Sequence, residues 1–457
     1  MSINCIRTLI EDSAQTHGDK TALVFNHKSI TYSQLFEKVN QVAYYLKELD
    51  LPRDSRVGIY SNKSIEQVIA ILAILSTDYI LVPLTKLLKP EQIEYIIDDC
   101  DIKCIITDKL DDSGTQEINF NGHIISYETQ TKEVASFDEI YKYYNKPYSC
   151  DINGHSNAVI TYSFGVSGTP KGIVISHRNL INSARVVSQY LNLSEDDVIS
   201  GLLIFNLDYG LNQIFSSLYK RATLALHRFI LPEDFLNHVI DDKVTVIPLM
   251  PINLTQIFDE DMHRIPSPEL FEHIKTITSS GGKVTKKMVN DCKGLFKNSD
   301  FFSMHGLTEA FRSAYLDPSQ IEIRPDSIGK AIPDVELYVI NKDGQECKPR
   351  EVGELIHRGG YIYKGFWNAP EQNEQRFKSI QILKDVINIE GQLIDEIVVA
   401  SGDYVYKDEE GYLYFVCRHD DMIKTRGFRV SPLEIESCVS KNIPQIDACA
   451  VFSIENE

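Results

Sequence analysis

The sequence predicts an α/β protein whose sheets are largely parallel and covered by helices, and three observations lead there. The stretch from Ser55 to Leu84, SRVGIYSNKSIEQVIAILAILSTDYILVPL, alternates strand, helix and strand, and such alternation favours a covered parallel sheet. A glycine-rich loop after Tyr162 lies between two apolar runs that read as strands, AVITY and GIVIS, so the loop belongs to a sheet. With 457 residues and 43% apolar content, the chain is long enough for two or three domains around a large core.

The opening residues, MSINCIRTLIEDSAQ, turn acidic at once and read as free of a secretory leader. Thr31 to Leu49 reads as a helix, because Thr31 with Gln34 fits a capping box and Leu35, Val39, Val42, Leu46 and Leu49 recur at helical spacing. Ser64 with Gln67 is a second such box, and Ile80 to Leu84 reads as a buried strand. Thr77 and Asp78 break the most apolar stretch, Val68 to Leu84, which is too short for a membrane span and reads as a buried helix followed by a strand. Asp108 to Asn153 is polar and punctuated, a connection between subdomains without a chemical role. Ser176 to Leu191 reads as a helix. In LLIFNLDYGLNQIF, a strand ends and a helix starts near Asp208, a residue type that favours the N-cap. The run ITSSGGKV closes a strand with Gly281 and Gly282, which by residue type is a turn.

The net charge of −19, from 46 basic and 65 acidic residues, argues against a general nucleic-acid or anionic-membrane surface, so any phosphate site must be local. Nine cysteines, odd in number and without CxxC or His-Cys spacing, point to free thiols in a reducing compartment, the cytoplasm by default, and to no structural zinc.

The loop itself suits phosphate. Gly165, Gly168 and Gly172 allow positive φ and close backbone approach, so that consecutive N–H groups can face an anion while Lys171 adds a compact positive charge. It is not a Walker loop, since Lys171 follows Pro170, precedes Gly172 and leads into a strand. A flexible hairpin is the plain alternative. With Tyr162, Ser163, Gly165, Ser167, Gly168, Pro170, Lys171 and Gly172 in order, the loop resembles the phosphate loop of the adenylate-forming superfamily, which includes acyl-CoA synthetases, peptide-synthetase adenylation domains and luciferases. It departs at Phe164 and Val166, where that family carries hydroxyls. The departure implies altered nucleotide affinity rather than lost function.

The resemblance implies a large N-terminal domain of β-sheets flanked by helices, residues 1–419, and a small, incomplete α+β C-terminal domain, residues 420–457. It also assigns roles. Gly281 and Gly282 match the glycines that lie against adenine. FFSMHGLTEAF resembles a signature in which His305 replaces a tyrosine and Gly306, Thr308 and Glu309 hold their places. There the Thr308 hydroxyl would donate to an α-phosphate oxygen and Glu309 would hold Mg²⁺, a hard cation that prefers oxygen. A solvated helix start is the other reading of Thr308 and Glu309. His305 would stack on adenine and add pH sensitivity near neutrality. Residues Gly353 to Phe377, with the single tryptophan Trp367, read as architecture. In SGDYVYKDEEGYLYFVCRHDDMIKTRGFRVSPLEIE, Asp403 corresponds to the acid that takes both ribose hydroxyls, Arg418 to a ribose-contacting arginine and Asp420 to an interdomain hinge. Lys424 and Gly427 fall in the loop that lines the thiol acceptor's channel, and Cys417 replaces the usual glycine. For Asp208 the resemblance offers a second reading, as the partner of a substrate ammonium in amino-acid-activating domains.

The activity so implied is ATP-dependent formation of an acyl-AMP with release of pyrophosphate, followed by transfer to a thiol, either coenzyme A or the phosphopantetheine of an acyl carrier protein. The substrate is a small carboxylic or amino acid, with Mg²⁺ as cofactor and no nucleic acid or membrane span involved. The family lysine in a Pro-x-x-x-x-Gly-Lys context does not follow Ile435, and Lys441 lies too close to the hinge to match it. The expectation is a truncated sequence, in which this chain alone is impaired in adenylation. A non-catalytic adenylate-binding protein is the rival reading, motivated by Phe164, Val166 and the missing lysine.

Overall fold

The structure, a computed structural model, describes residues 3–452 apart from 109–119, 129–133, 145–147, 149, 165–169, 260–263, 388–394, 420–422, 426–427, 431, 444–445 and 447–448. The chain forms two compact units. One comprises Met1–Phe301 with Tyr363–Pro370, the other Phe302–Ile362 with Glu371–Glu457.

In the first unit, one sheet has the described strands in the order Ala135–Ser136, His123–Ser126, Ile102–Thr107, Arg56–Tyr60, Ile80–Leu84, Asn157–Phe164 and Pro170–Ser176. All neighbours are parallel until the last pair, a hairpin. A second set runs Thr276–Ser279, Val246–Leu249, Val198–Gly201, Thr223–Leu226, Thr21–Phe25 and Lys28–Thr31, parallel except for its final antiparallel pair. The helix Ile65–Ile74 touches strands of both sheets, and nearly every one of its side chains is buried. Its apolar run therefore serves two core faces at once, each buried Ile or Leu contributing about 1.5–3 kcal/mol.

Local signals act as read. Helix Tyr32–Glu48 starts at a complete box, with Thr31 Oγ1 accepting from Gln34 N–H and Gln34 Oε1 accepting from Thr31 N–H at 2.9 Å. Leu35, Val39, Val42 and Leu46 form its fully buried stripe. At Ser64 only half of the box forms, because the Gln67 amide donates instead to the Ser61 carbonyl at 3.2 Å. The segment Asp108 to Asn153 is more than a connection. It supplies the strands His123–Ser126 and Ala135–Ser136 and the helix Phe137–Tyr143, drawn into the core by Ile125, Phe137 and Ile140 and capped by Ser136.

The second unit is antiparallel throughout its main sheet, in the order Val335–Ile340, Gly353–Gly359, Ile397–Lys407, Leu413–Arg418, Ser327–Ala331, Phe311–Leu316 and Asp300–Leu307, the last from Phe302 onward. The expectation of largely parallel sheets thus holds for the first unit alone. Here most consecutive strands follow one another through short connections, without the crossover helix a parallel pair needs. Ala314, Leu337, Val339, Leu355, Val405 and Leu413 form one of its cores. Among the described residues, no helix is long and apolar enough to cross a membrane.

Candidate functional site

The second unit gathers most of the chemistry. Asp403 lies on the strand Ile397–Lys407 directly opposite Arg418 on Leu413–Arg418, so sheet register alone brings the pair together. Arg418 Nε is 3.1 Å from Asp403 Oδ1 and His305 Nε2 is 3.4 Å from Oδ2. Ser401 fixes the strand below by accepting from Asp403 N–H at 3.0 Å and donating to the Leu355 carbonyl at 2.7 Å. Asp403 is 4% exposed, and its Oδ1 makes an ion pair but no hydrogen bond. Burial pushes this carboxyl up, but His305 and Arg418 outweigh it and hold it below the usual carboxylate range. The result is an ionised, sheltered acceptor with an oxygen to spare, which suits a diol. His305 also faces Phe415, with ring centroids 6.1 Å apart.

Thr308 and Glu309 sit in the turn between the strands Asp300–Leu307 and Phe311–Leu316, not at a solvated helix start. Gly306 allows this hairpin to close, since a Cβ there would come within 2.3 Å of the Phe311 carbonyl oxygen. Phe311 leaves the turn at φ +53, unusual for a bulky residue, and is held by burial and by Tyr361 stacked at 6.5 Å. Glu309 is consequently buried, at 6% exposure. Burial holds its carboxyl above the usual range, against the opposing pull of its own backbone amide, Arg376 and Arg418.

In the first unit, Ser163 and Lys171 are direct cross-strand partners in the hairpin Asn157–Phe164 and Pro170–Ser176, as are Tyr162 and Gly172. Gly165, Ser167 and Gly168 lie outside the described residues. Gly172 fits a crowded spot where a Cβ would meet Ile160 at 2.9 Å and Tyr162 at 3.0 Å, and its carbonyl accepts from Trp367 N–H at 2.8 Å. Trp367 in turn donates from Nε1 to the Asp99 carbonyl at 3.0 Å, and Tyr162 donates to the Asp99 carboxylate, so the root of the hairpin is braced on both sides. Gly281 has φ +86 just beyond the strand Thr276–Ser279, with Gly282 after it, leaving bare backbone beside Met250 and Pro251.

Asp208 is one residue from its expected place. Leu207 is the N-cap, in the extended conformation a cap requires, and Asp208 is the first helical residue of Asp208–Lys220. In the first turn its carboxylate favours the positive end of the helix. Lys424 lies on Ile423–Thr425, which pairs antiparallel with Phe428–Val430, whereas Asp420 and Gly427 are outside the described residues.

Sequence reasoning missed three residues. His357, read as architecture, is 1% exposed with neither ring nitrogen hydrogen-bonded, and burial, with His305 nearby, pushes it down to about 3. Arg376 approaches Glu309 Oε1 to 3.9 Å. Lys63, largely buried, donates to the carbonyls of Gly201, Leu202 and Leu203, and so ties down the segment leading to Asp208. Burial, with Arg228 adding, sets its pKa well below the ordinary lysine value. No pattern marks the last two, because their partners come from distant segments.

Among the described residues, no group of three or more His, Cys, Asp and Glu could form a metal cage, and no cysteine is in a disulfide. Mg²⁺ needs no such cage. It is commonly held by one or two carboxylates together with substrate phosphates. Glu309 fits that role, since its neighbouring cation at 3.9 Å is beyond hydrogen-bond reach and takes none of the carboxylate's lone pairs.

Asp403 and Glu309 are thus two buried carboxylates on neighbouring strands and turns of the second unit, each with a cation close by. The chain belongs to the AMP-binding enzyme family, whose profile matches residues 10–367. It is 26% identical over 441 residues to tyrocidine synthase 1 of Brevibacillus parabrevis, covering 94% of this chain and 38% of that protein. It is 27% identical over 457 residues to bacitracin synthase 1 of Bacillus licheniformis, covering 99% and 8%. The chain therefore spans well under half the length of these curated relatives. Among solved structures, it is similar to o-succinylbenzoate CoA synthetase from Bacillus subtilis in complex with an acyl-adenylate intermediate, with a TM-score of 0.81, 24% identity, and coverage of 98% of this chain and 85% of that one. It is also similar to an ATP-bound RpMatB-BxBclM chimera, with a TM-score of 0.84, 22% identity, and coverage of 99% and 86%. These likenesses establish the fold.

Proposed function

We propose that the chain activates a carboxylic acid with ATP, forming an acyl-AMP and releasing pyrophosphate, and that the acyl group then passes to a thiol. The observation that carries the reading is Asp403, a buried and ionised carboxylate with one oxygen free of hydrogen bonds and Arg418 alongside, in a chain of the AMP-binding family. Asp403 would accept from both ribose hydroxyls, with Arg418 fixing it. Gly281 and Gly282 would offer bare backbone to the base, and His305, near Gly306, would stack on it. Ser163 and Lys171, with Gly165, Ser167, Gly168 and Gly172, would take the phosphates, and Thr308 would donate to the α-phosphate. Bound Mg²⁺, held by Glu309, would supply charge neutralisation where a carboxylate approaches a polyphosphate. Catalysis in this reading comes from positioning and electrostatics and needs no side-chain nucleophile.

The synthases among its relatives favour an amino acid as the acid, with Asp208 facing its ammonium group, and a carrier-protein phosphopantetheine rather than coenzyme A as the acceptor. Residues 1–419 would form the adenylating part and 420–457 the start of a second domain, with Asp420 as hinge and Lys424 and Gly427 lining the thiol channel. ATP–pyrophosphate exchange, run with one pool of amino acids and one of fatty and aromatic acids, tests this. Exchange with the amino-acid pool supports it in full, and exchange with the other pool moves Asp208 to a structural role. Phe164 and Val166 in the phosphate loop favour a second reading, adenylate binding without catalysis, which nucleotide binding without any exchange would support.

A further inference from the structure

Arg376 ends the helix Pro370–Arg376, and the chain runs directly into Phe377–Ser379, which pairs with Ile397–Lys407 through Phe377 and Val399. The base of this side chain is therefore fixed by a sheet. Its Nη1 donates to the Ala400 carbonyl at 3.4 Å, and the guanidinium packs closely against Gly402. A Cβ at Gly402 would come within 2.0 Å of Nη1 and 2.9 Å of Cζ, so this close approach requires glycine. Gly402 also has φ +70, and its N–H donates to Glu354 Oε1 at 3.0 Å, which holds the bare backbone in place. From this seat Arg376 Nε reaches 3.9 Å from Glu309 Oε1. The separation offsets the charge of a buried carboxylate without consuming its lone pairs.

We infer that Arg376 is a positioning residue for Glu309, a fixed cation that orients the buried carboxylate for a divalent metal delivered with the nucleotide. The inference rests on the reading above, in which Glu309 holds Mg²⁺. Partners of this kind, one step removed from a metal, commonly change metal affinity about 10–100-fold when replaced. Arg376 acts on the metal-dependent part of binding, and nucleotide contacts that need no metal do not depend on it.

The test is calorimetric titration of the full chain with ATP, in Mg²⁺ and in EDTA, for wild type, Arg376→Met, Arg376→Lys and Gly402→Ala. Arg376→Met is expected to raise the Kd for ATP in Mg²⁺ by about tenfold or more and to leave the Kd in EDTA unchanged. Arg376→Lys, which restores a charge without the fork, should recover part of the loss. Gly402→Ala keeps the charge but displaces the guanidinium and should reproduce the split, so it carries the test if Arg376→Met does not fold. Equal weakening in both media, or none in either, overturns the inference while the adenylation reading stands. Wild-type protein that binds no ATP in either medium overturns both.

Discussion

Replacing His357 by phenylalanine should flatten the acid side of the stability curve. His357 lies on Gly353–Gly359 with both ring nitrogens buried and without hydrogen bonds. Burial first, and His305 second, set its pKa near 3, against 6.5 for an ordinary histidine. Below pH 6.5 the unfolded chain therefore takes up a proton that the native chain refuses. The stability held above that pH is lost as the pH falls, down to about 3. At ~1.4 kcal/mol per unit, the full gap corresponds to about 5 kcal/mol, of which about 1.4 kcal/mol is already lost at about pH 5.5. Phenylalanine binds no proton, so this component vanishes. It also removes two buried polar atoms that lack partners, and the variant should be at least as stable as wild type at about pH 8. His177, pushed by burial to about 4, stays in both proteins and keeps a residual acid slope. The assay is urea unfolding followed by circular dichroism, for both proteins, at about pH 8 and about pH 5.5. If His357→Phe loses as much stability between the two as wild type does, the reasoning is refuted.

Three further outcomes follow from the site. Asp403→Asn leaves Arg418 and His305 facing a neutral amide and weakens two charge-assisted hydrogen bonds to a diol, so the Kd for ATP by equilibrium dialysis should rise about 10–100-fold. An unchanged Kd removes Asp403 from the site. Glu309→Ala should abolish pyrophosphate exchange while the circular dichroism spectrum is retained, and full exchange in that variant would end the assignment of Glu309 to the metal. Asp208→Ala should lose exchange with amino acids alone, whereas uniform loss across both acid pools, or none, would make Asp208 a helix-terminus residue only.

What the sequence revealed was what is local in it. The capping box at Thr31 and Gln34, the strand-helix-strand unit from Arg56 to Leu84 and the two strands flanking the loop before Lys171 each depend on residues a few positions apart, and each forms as read. Motif order located Asp403 and Arg418, but only the register of two adjacent strands shows them facing each other. Asp208 fell one position off because a cap is defined by backbone angles, which Leu207 adopts, rather than by side-chain type. The motif put Glu309 at the metal but left a solvated helix start open, because nothing in a short turn sequence reports the φ of Phe311 or the closure at Gly306 that buries it. Arg376, His357 and Lys63 carry no signal at all, since each acquires its meaning from partners at long range.

Lys63 has a consequence for measurement. Each hydrogen of its ammonium group is taken by a carbonyl, and the residue is only 9% exposed. An amine-directed label should therefore modify the surface lysines within minutes and reach Lys63 only when the first unit opens. The slow appearance of that one modified peptide in a mass spectrum would act as a clock for the opening, with no engineered probe.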